Sequence, residues 1–251
     1  MIRFEQIPKP PTDLRNAYLD SLVEPQELYL ERHVEEGKTW CLDDVAYAVQ
    51  CGKKLVELYV VPEQSDRLME IFEAAIAAGN ASGVLCKSFD TQMLYAAFSS
   101  SASVRPSGLL FRRIVDGSFA ARNDVSFRQG TDDDAEVIFS FNDEFFQSLD
   151  EIKSYAASGG LFVLEKGGVA IGCGIGKPVI ENRPDIDIGM LVAKEHRRNG
   201  YGEHIISFLK HHYLDRSLRP ICGCSIDNIG SQMALRNAGF VSEHRLLDIS
   251  Y

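Results

Sequence analysis

No apolar run in these 251 residues approaches the ~18 to 20 that span a bilayer. The opening Met1-Ile2-Arg3-Phe4-Glu5 lacks the charged-then-apolar layout of a secretion signal, so no membrane segment is expected and a cytoplasmic location is. Positive charge is also short. With 26 Lys and Arg against 36 Asp and Glu, the net charge of −10 gives a field that repels the phosphate backbone of nucleic acids. A small anionic ligand survives that exclusion, because a local cluster of donors acts within a Debye length of roughly 8 to 10 Å whatever the total charge. The six cysteines contain no CxxC pair, which leaves out zinc ribbons and thioredoxin-like motifs; reduced thiols are expected. Cys222 and Cys224 stand two apart in a strand-like stretch, share one face and are read as packing. The six histidines include no HExxH, and no essential metal is expected.

What is present is the balance of a folded chain: 45% hydrophobic and 25% charged residues suit one large or two small domains. After Pro8, Pro10 and Pro11 the pattern predicts a helix over 12–22, then strands over 40–42, 45–49 and 55–61. Leu68, Ile71, Phe72, Ala75 and Ile76 recur at helical spacing within 65–78, and Gly79-Asn80 ends that helix before a short strand over 83–86. A helix over 90–98 and a strand over 108–114 complete the half, with a domain boundary expected near residue 120.

The second half opens with strand-like 125–128 and a helix-start signal at Thr131-Asp132-Asp133-Asp134, followed by helical residues through Phe146 and again over 149–157. Strands are predicted over 161–165, 169–175 and 185–192, the first two forming a hairpin about Gly167-Gly168. Then come a glycine-bearing loop, a helix over 202–214, a strand over 220–226, a helix over 231–238 and a closing strand. The order strand, helix, strand, helix from Leu58 repeats that from Met190, which points to a tandem copy.

One stretch carries chemistry. In Leu191-Val192-Ala193-Lys194-Glu195-His196-Arg197-Arg198-Asn199-Gly200-Tyr201-Gly202-Glu203 a strand enters a helix through a loop with two glycines. Gly200 and Gly202 permit positive φ and close approach of the backbone to an oxyanion, while the helix start aims unpaired N–H groups at the same point. Lys194, Arg197 and Arg198 add positive charge. No Gly-Lys-Ser/Thr follows and the glycines do not fit GxGxxG, so this is neither a Walker loop nor a dinucleotide turn.

Arg197-Arg198-Asn199-Gly200-Tyr201-Gly202 resembles the (Gln/Arg)-x-x-Gly-x-(Gly/Ala) pyrophosphate loop of the GCN5-related N-acetyltransferase (GNAT) superfamily. Downstream, Asn228-Ile229-Gly230-Ser231 and Gly239-Phe240 are similar to that family's Asn-x-x-Ser segment and terminal Gly-Phe, in the same order. The resemblance covers residues 125–251. It implies an α/β (α+β) fold with a mixed, mostly antiparallel sheet flanked by helices, an N-acetyltransferase domain over 121–251, and a degenerate GNAT-like domain over 1–120. In the N-terminal half, Glu63-Gln64-Ser65-Asp66-Arg67-Leu68 stands where the glycine loop would be. Lacking glycine and carrying two carboxylates, it is not expected to hold pyrophosphate, so one acetyl-CoA per chain is expected.

The resemblance also implies roles. Backbone groups of Met190, Leu191 and Val192 would meet the pantetheine arm and thioester, with an N–H near Met190 polarising the carbonyl. Arg197, Arg198, Asn199, Gly200, Tyr201, Gly202 and Glu203 would bind the pyrophosphate, and Asn228 and Ser231 the pantetheine or phosphate arm. An acceptor ammonium with pKa ~8 to 10 must lose a proton, and Asp187 is the expected base. Asp143, Glu144, Glu181 and Asp185 are alternatives. Leu235 occupies the place where a tyrosine commonly protonates the leaving thiolate, which leaves solvent as the proton source. One of Phe145 and Phe146 is expected to reach the acceptor cleft. The implied activity is acetyl-CoA-dependent transfer of an acetyl group to a primary amine of a small molecule or peptide, by direct attack in a ternary complex. The alternative is a non-catalytic acyl-CoA-binding or regulatory protein.

Overall fold

The computed structural model describes residues 2–99, 103–115 and 122–251. By compactness the chain divides into two units, residues 1–110 with 244–251, and residues 111–243. The division is therefore not a single cut, and the boundary expected near residue 120 lies outside the described residues. In chain order the elements are β1 (Glu5–Ile7), α1 (Thr12–Ser21), α2 (Leu28–Glu36), β2 (Lys38–Leu42), β3 (Ala46–Cys51), β4 (Lys54–Val60), α3 (Leu68–Gly79), β5 (Gly83–Lys87), α4 (Thr91–Phe98) and β6 (Ser103–Ile114). There follow β7 (Ser126–Gln129), α5 (Ala135–Ser140), α6 (Leu149–Ala157), β8 (Leu161–Lys166), β9 (Val169–Pro178), β10 (Asp185–Val192), α7 (Tyr201–Leu214), β11 (Arg219–Ser225), α8 (Ile229–Asn237) and β12 (Phe240–Ser250). No described helix is long and apolar enough to cross a membrane.

In the first unit neighbouring strands run β1-β2-β3-β4-β5, followed by the 244–250 part of β12. All are antiparallel to their neighbours except β4 and β5, which register in parallel at Leu55 and Val84. Residues Leu68, Ile71, Phe72 and Ala75 of α3 lie at helical spacing and are buried against Leu55, Leu58 and Val60, as the sequence pattern requires. Asn80 at φ +50 ends that helix, and the Asp90 carboxylate caps α4 by accepting the Met93 N–H at 3.1 Å.

The other face of β4 is polar inside. Glu57, fully buried, accepts from Arg15 at 3.2 and 3.3 Å, Gln26 at 2.7 Å and Tyr47 at 3.0 Å. Lys87 on β5, equally buried, donates to Tyr18 Oη at 2.5 Å and Gln26 Oε1 at 2.8 Å. Helix α2 and strand β1 are absent from the sequence reading. Glu31 interrupts the apolar stripe of α2 yet is buried, because Arg15 pairs with it at 2.6 Å.

In the second unit the order is β11-β10-β9-β8-β7, with β10 and β11 parallel and the others antiparallel. Gly167 and Gly168, at φ +59 and +78, make the β8–β9 turn that the sequence predicts. Thr131 and Asp134 form a capping box ahead of α5. Helical structure expected through Phe146 stops at Ser140, because the Asn142 side chain takes the N–H groups of Phe145 and Phe146 at 3.0 and 2.9 Å. Helices α5 and α6 bury Ala135, Ile138, Ile152 and Tyr155 against one face of the sheet. Helix α7 covers the other, where Ile205 and Leu209 lie so close to Gly174 that a Cβ there would stand 2.7 and 2.9 Å from them.

Candidate active site

Strand β10 and the loop after it build the site. Registered pairing with β9 runs from Ile186 to Val192, whereas pairing with β11 covers 185–187 and stops. Beyond Asp187 the two parallel strands part and leave a wedge. The Ala193 N–H donates to Ile171 O on β9 at 3.0 Å, which fixes the alternation of the antiparallel ladder. Residues 187, 189 and 191 turn their backbone groups to β9, and Ile188, Met190 and Val192 turn theirs to the wedge. The Val192 carbonyl there accepts from Arg197 Nε at 2.9 Å.

Side chains alternate as well. Leu191 is buried among Ala135, Ile138 and Phe146, so Asp187, Gly189 and Leu191 face α5 and α6. Met190 faces α7, where a Cβ on Gly202 would stand 3.1 Å from its Sδ. Phe145 lies over Gly189, with its Cζ 3.0 Å from where a Cβ would be, while Phe146 is buried in the core. Asp187 thus shares a face of β10 with Gly189, two residues from the glycine that the Phe145 ring covers.

The loop itself turns through two left-handed residues, Arg198 at φ +63 and Gly200 at φ +78. Positive φ was expected at Gly202, but that residue is helical, and its missing Cβ serves the close approach to Met190 instead. Asn199 ties the loop together, its Nδ2 donating to the carbonyls of His196 at 3.1 Å and Arg197 at 3.0 Å. Gly200 is the N-cap of α7 and brings no side chain to cap the first turn, so the positive end of the helix directly follows the loop that carries Arg197 and Arg198. At α8 the side-chain Oδ1 of Asn228 accepts the Ser231 N–H at 3.0 Å, so this Asn-x-x-Ser pair is a helix cap. Leu235 is buried.

Two family models match the chain: "Acetyltransferase (GNAT) domain" over residues 9–114 and "Acetyltransferase (GNAT) family" over 127–240. The chain is a two-domain member of the GNAT acetyltransferase family. Solved structures share the GNAT fold at low identity. An acetyltransferase of the GNAT family from Colwellia psychrerythraea matches with TM-score 0.84 and 18% identity over 99% of both chains. A GCN5-related N-acetyltransferase from Sphaerobacter thermophilus matches with TM-score 0.64 and 14% identity over 86% of this chain and 80% of that one. Among curated proteins none matches. GNAT proteins in general carry out acyl-CoA-dependent N-acyl transfer, with acetyl-CoA the usual donor.

The residues of this GNAT chain fit that donor. Backbone N–H groups at the start of α7, with Arg197 and Arg198 in the loop before it, suit the pyrophosphate of acetyl-CoA, and the edge of β10 that β11 leaves unpaired beyond Asp187 suits its amide arm and thioester. The N-terminal unit differs. Among residues 61–68 none has positive φ, and a 3₁₀ turn over Pro62–Arg67 stands in place of a loop. The end of β4 is closed by Gln92, whose carboxamide accepts the Val60 N–H at 3.0 Å and donates to the Val60 carbonyl at 2.9 Å.

Of the carboxylates weighed as bases, Asp143 pairs with Arg197 at 2.8 Å and Lys194 at 3.1 Å, and these cations hold its pKa below the usual value. Asp185 is buried 3.9 Å from Arg219, and Glu144 and Glu181 are exposed on turns. Tyr201 is buried, its hydroxyl donating to Asp124 at 2.9 Å and accepting from Lys166 at 2.7 Å. The sequence reading missed this brace. Arg122 stacks over the Tyr201 ring at 4.5 Å, pairs with Asp124 at 2.9 Å and donates to the Asn199 carbonyl at 2.8 Å. Its guanidinium holds the Asp124 carboxyl well below the ordinary range, with the Tyr201 hydroxyl adding to the effect. A basic residue 77 positions before the loop carries no local signal of that contact.

Proposed function

We propose that the second unit transfers the acetyl group of acetyl-CoA to a primary amine of a small molecule or peptide, in a ternary complex and without a covalent enzyme intermediate. The observation that carries this reading is the convergence of two features: the uncapped start of α7 behind two left-handed residues, and the open edge of β10 that begins beside Asp187. Acetyl-CoA supplies an activated acyl thioester. The chain supplies the rest. N–H groups of 198–203, backed by Arg198, hold pyrophosphate; the wedge-facing groups of Met190 and Val192 align the arm; the Met190 N–H offers a fixed donor where charge develops on the carbonyl oxygen. Leu191 supports the strand from the core, and Asn228 and Ser231 border the wedge at the start of α8. Asp187, on the α5–α6 side of β10, accepts the amine proton, directly or through water. Arg197, Asn199, Tyr201, Gly202 and Glu203 shape the loop. The first unit binds no second donor, and with reduced thiols throughout the protein works in the cytoplasm.

The test compares wild type with Gly200→Glu and Asp187→Asn in thermal melts with acetyl-CoA, and then in thiol release over a panel of primary amines. At 100 times its dissociation constant, acetyl-CoA adds about 2.7 kcal/mol to apparent stability. Wild type and Asp187→Asn should shift alike and Gly200→Glu should not; Asp187→Asn should lose turnover at least 100-fold. Equal shifts in Gly200→Glu, or full turnover in Asp187→Asn, would remove the respective assignment. Donor binding without thiol release for any amine would favour the non-catalytic reading, for which the buried Leu235 speaks.

A further inference from the structure

The turn between α5 and α6 sends two side chains in different directions. Asn142 closes it, accepting the N–H groups of Phe145 and Phe146 and donating to the Phe146 carbonyl at 2.8 Å. That closure holds Glu144 left-handed at φ +59 and lays Phe145 on Gly189, between Asp187 and Met190 of β10. From the same turn Asp143 reaches the donor loop, with Oδ2 2.8 Å from Arg197 Nη1 and Oδ1 3.1 Å from Lys194 Nζ. Arg197 in turn holds the Val192 carbonyl, where β10 ends. One short turn therefore touches both the proposed acceptor side of β10 and the segment that leads into the proposed anion-binding loop.

We infer that Asp143 is a positioning residue that couples occupancy of the donor loop to the aromatic wall made by Phe145. The inference rests on the proposed function, since it takes coenzyme A as the ligand of that loop. Both ion pairs are half exposed and each alone is weak, but they share one carboxylate and bridge segments 54 residues apart. A ligand that orders 194–200 fixes both cations, and through them Asp143 and its turn. By linkage, a turn already fixed must favour the ligand by the same factor. The coupling expected from such pairs is about threefold to fivefold.

Coenzyme A itself is the probe, so no acceptor needs to be known. Its affinity is measured by calorimetry for wild type, Asp143→Asn, Asn142→Ala, the double variant and Asp143→Glu, and hydrogen exchange is followed at the Phe145 and Phe146 amides with and without it. In wild type, saturating coenzyme A should slow exchange at these amides about threefold to fivefold, and in Asp143→Asn it should not. Asn142→Ala should weaken binding by a similar factor in wild type and leave Asp143→Asn unchanged, while Asp143→Glu should restore part of the exchange response. A purely structural Asp143 would lower protection with and without ligand alike. Wild type that binds coenzyme A with unaltered exchange, or single-variant effects that simply multiply, would overturn the inference. Wild type that binds no coenzyme A would overturn the proposed function and this inference together.

Discussion

Arg198 sits in the left-handed region at φ +63, in a loop whose other left-handed residue is glycine. A side chain with a Cβ is disfavoured there by about 1 to 2 kcal/mol, and glycine is not. Glycine in turn has more freedom to lose on folding, by roughly 0.4 to 1 kcal/mol, so the net gain of Arg198→Gly should be about 1 kcal/mol. The exposed side chain contributes little to folding, and its loss is controlled for by Arg198→Ala, which removes the same charge but keeps the Cβ. The two variants differ in backbone strain and in the chain entropy already subtracted. For a chain of this size the difference corresponds to an apparent Tm about 2 to 4 °C higher for Arg198→Gly than for Arg198→Ala, read by near-ultraviolet circular dichroism at low ionic strength. Equal melting of the two variants, or a lower Tm for glycine, would show that the loop stores no such strain and that the turn is held by its side-chain ties.

Two other outcomes follow from buried polar groups. Glu57→Ala should destabilise the first unit by about 3 kcal/mol in urea titrations, because Arg15, Gln26 and Tyr47 lose a common acceptor deep in the core; a loss below about 1 kcal/mol would mean that water replaces the carboxylate. His204 and His212 stack with Phe127, Phe162 and Phe208, and burial lowers the pKa of both, with Arg122 adding to the effect at His204 and Arg216 at His212. The unfolded chain then takes up protons before the folded one does. Stability should be level at pH 8 and fall as the pH drops through about 6.5, and a Tm that stays flat down to pH 5 would rule the stack out as a titrating element.

Much of the fold was legible because periodicity and turn chemistry act locally. Strand β10 was read to the residue, and α7 and β11 to within one, since each has a regular apolar pattern and a glycine or proline at its edge. The loop after β10 was legible for the same reason: Gly200 stands where only an achiral residue is relaxed. Arg198 was not read as left-handed, because an arginine gives no hint of φ. Helix α2 was hidden by a carboxylate on its buried side, whose partner Arg15 lies 16 residues earlier. The Arg122 and Lys166 brace and the Asp143 link were hidden likewise. Each joins residues far apart in sequence, and surface charges look the same whether they are solvated or paired.

The assignment of residues 244–251 to the first unit has a consequence for how the protein is made. Strand β5 acquires its neighbour when Leu246 to Ser250 align with Lys87 to Gly83, and Lys54 then binds Asp248, Ile249 and Ser250 at 2.5, 3.0 and 2.6 Å. At ~5 to 20 residues per second, more than a hundred residues of synthesis separate the two partners, so the half that leaves the ribosome first waits several seconds or more for its last strand. During that time β5 presents an unpaired edge to the crowded cell. A nonsense mutation at any of codons 242 to 246 should therefore injure the amino-terminal half of the protein, and its mark should be a chain that aggregates at birth.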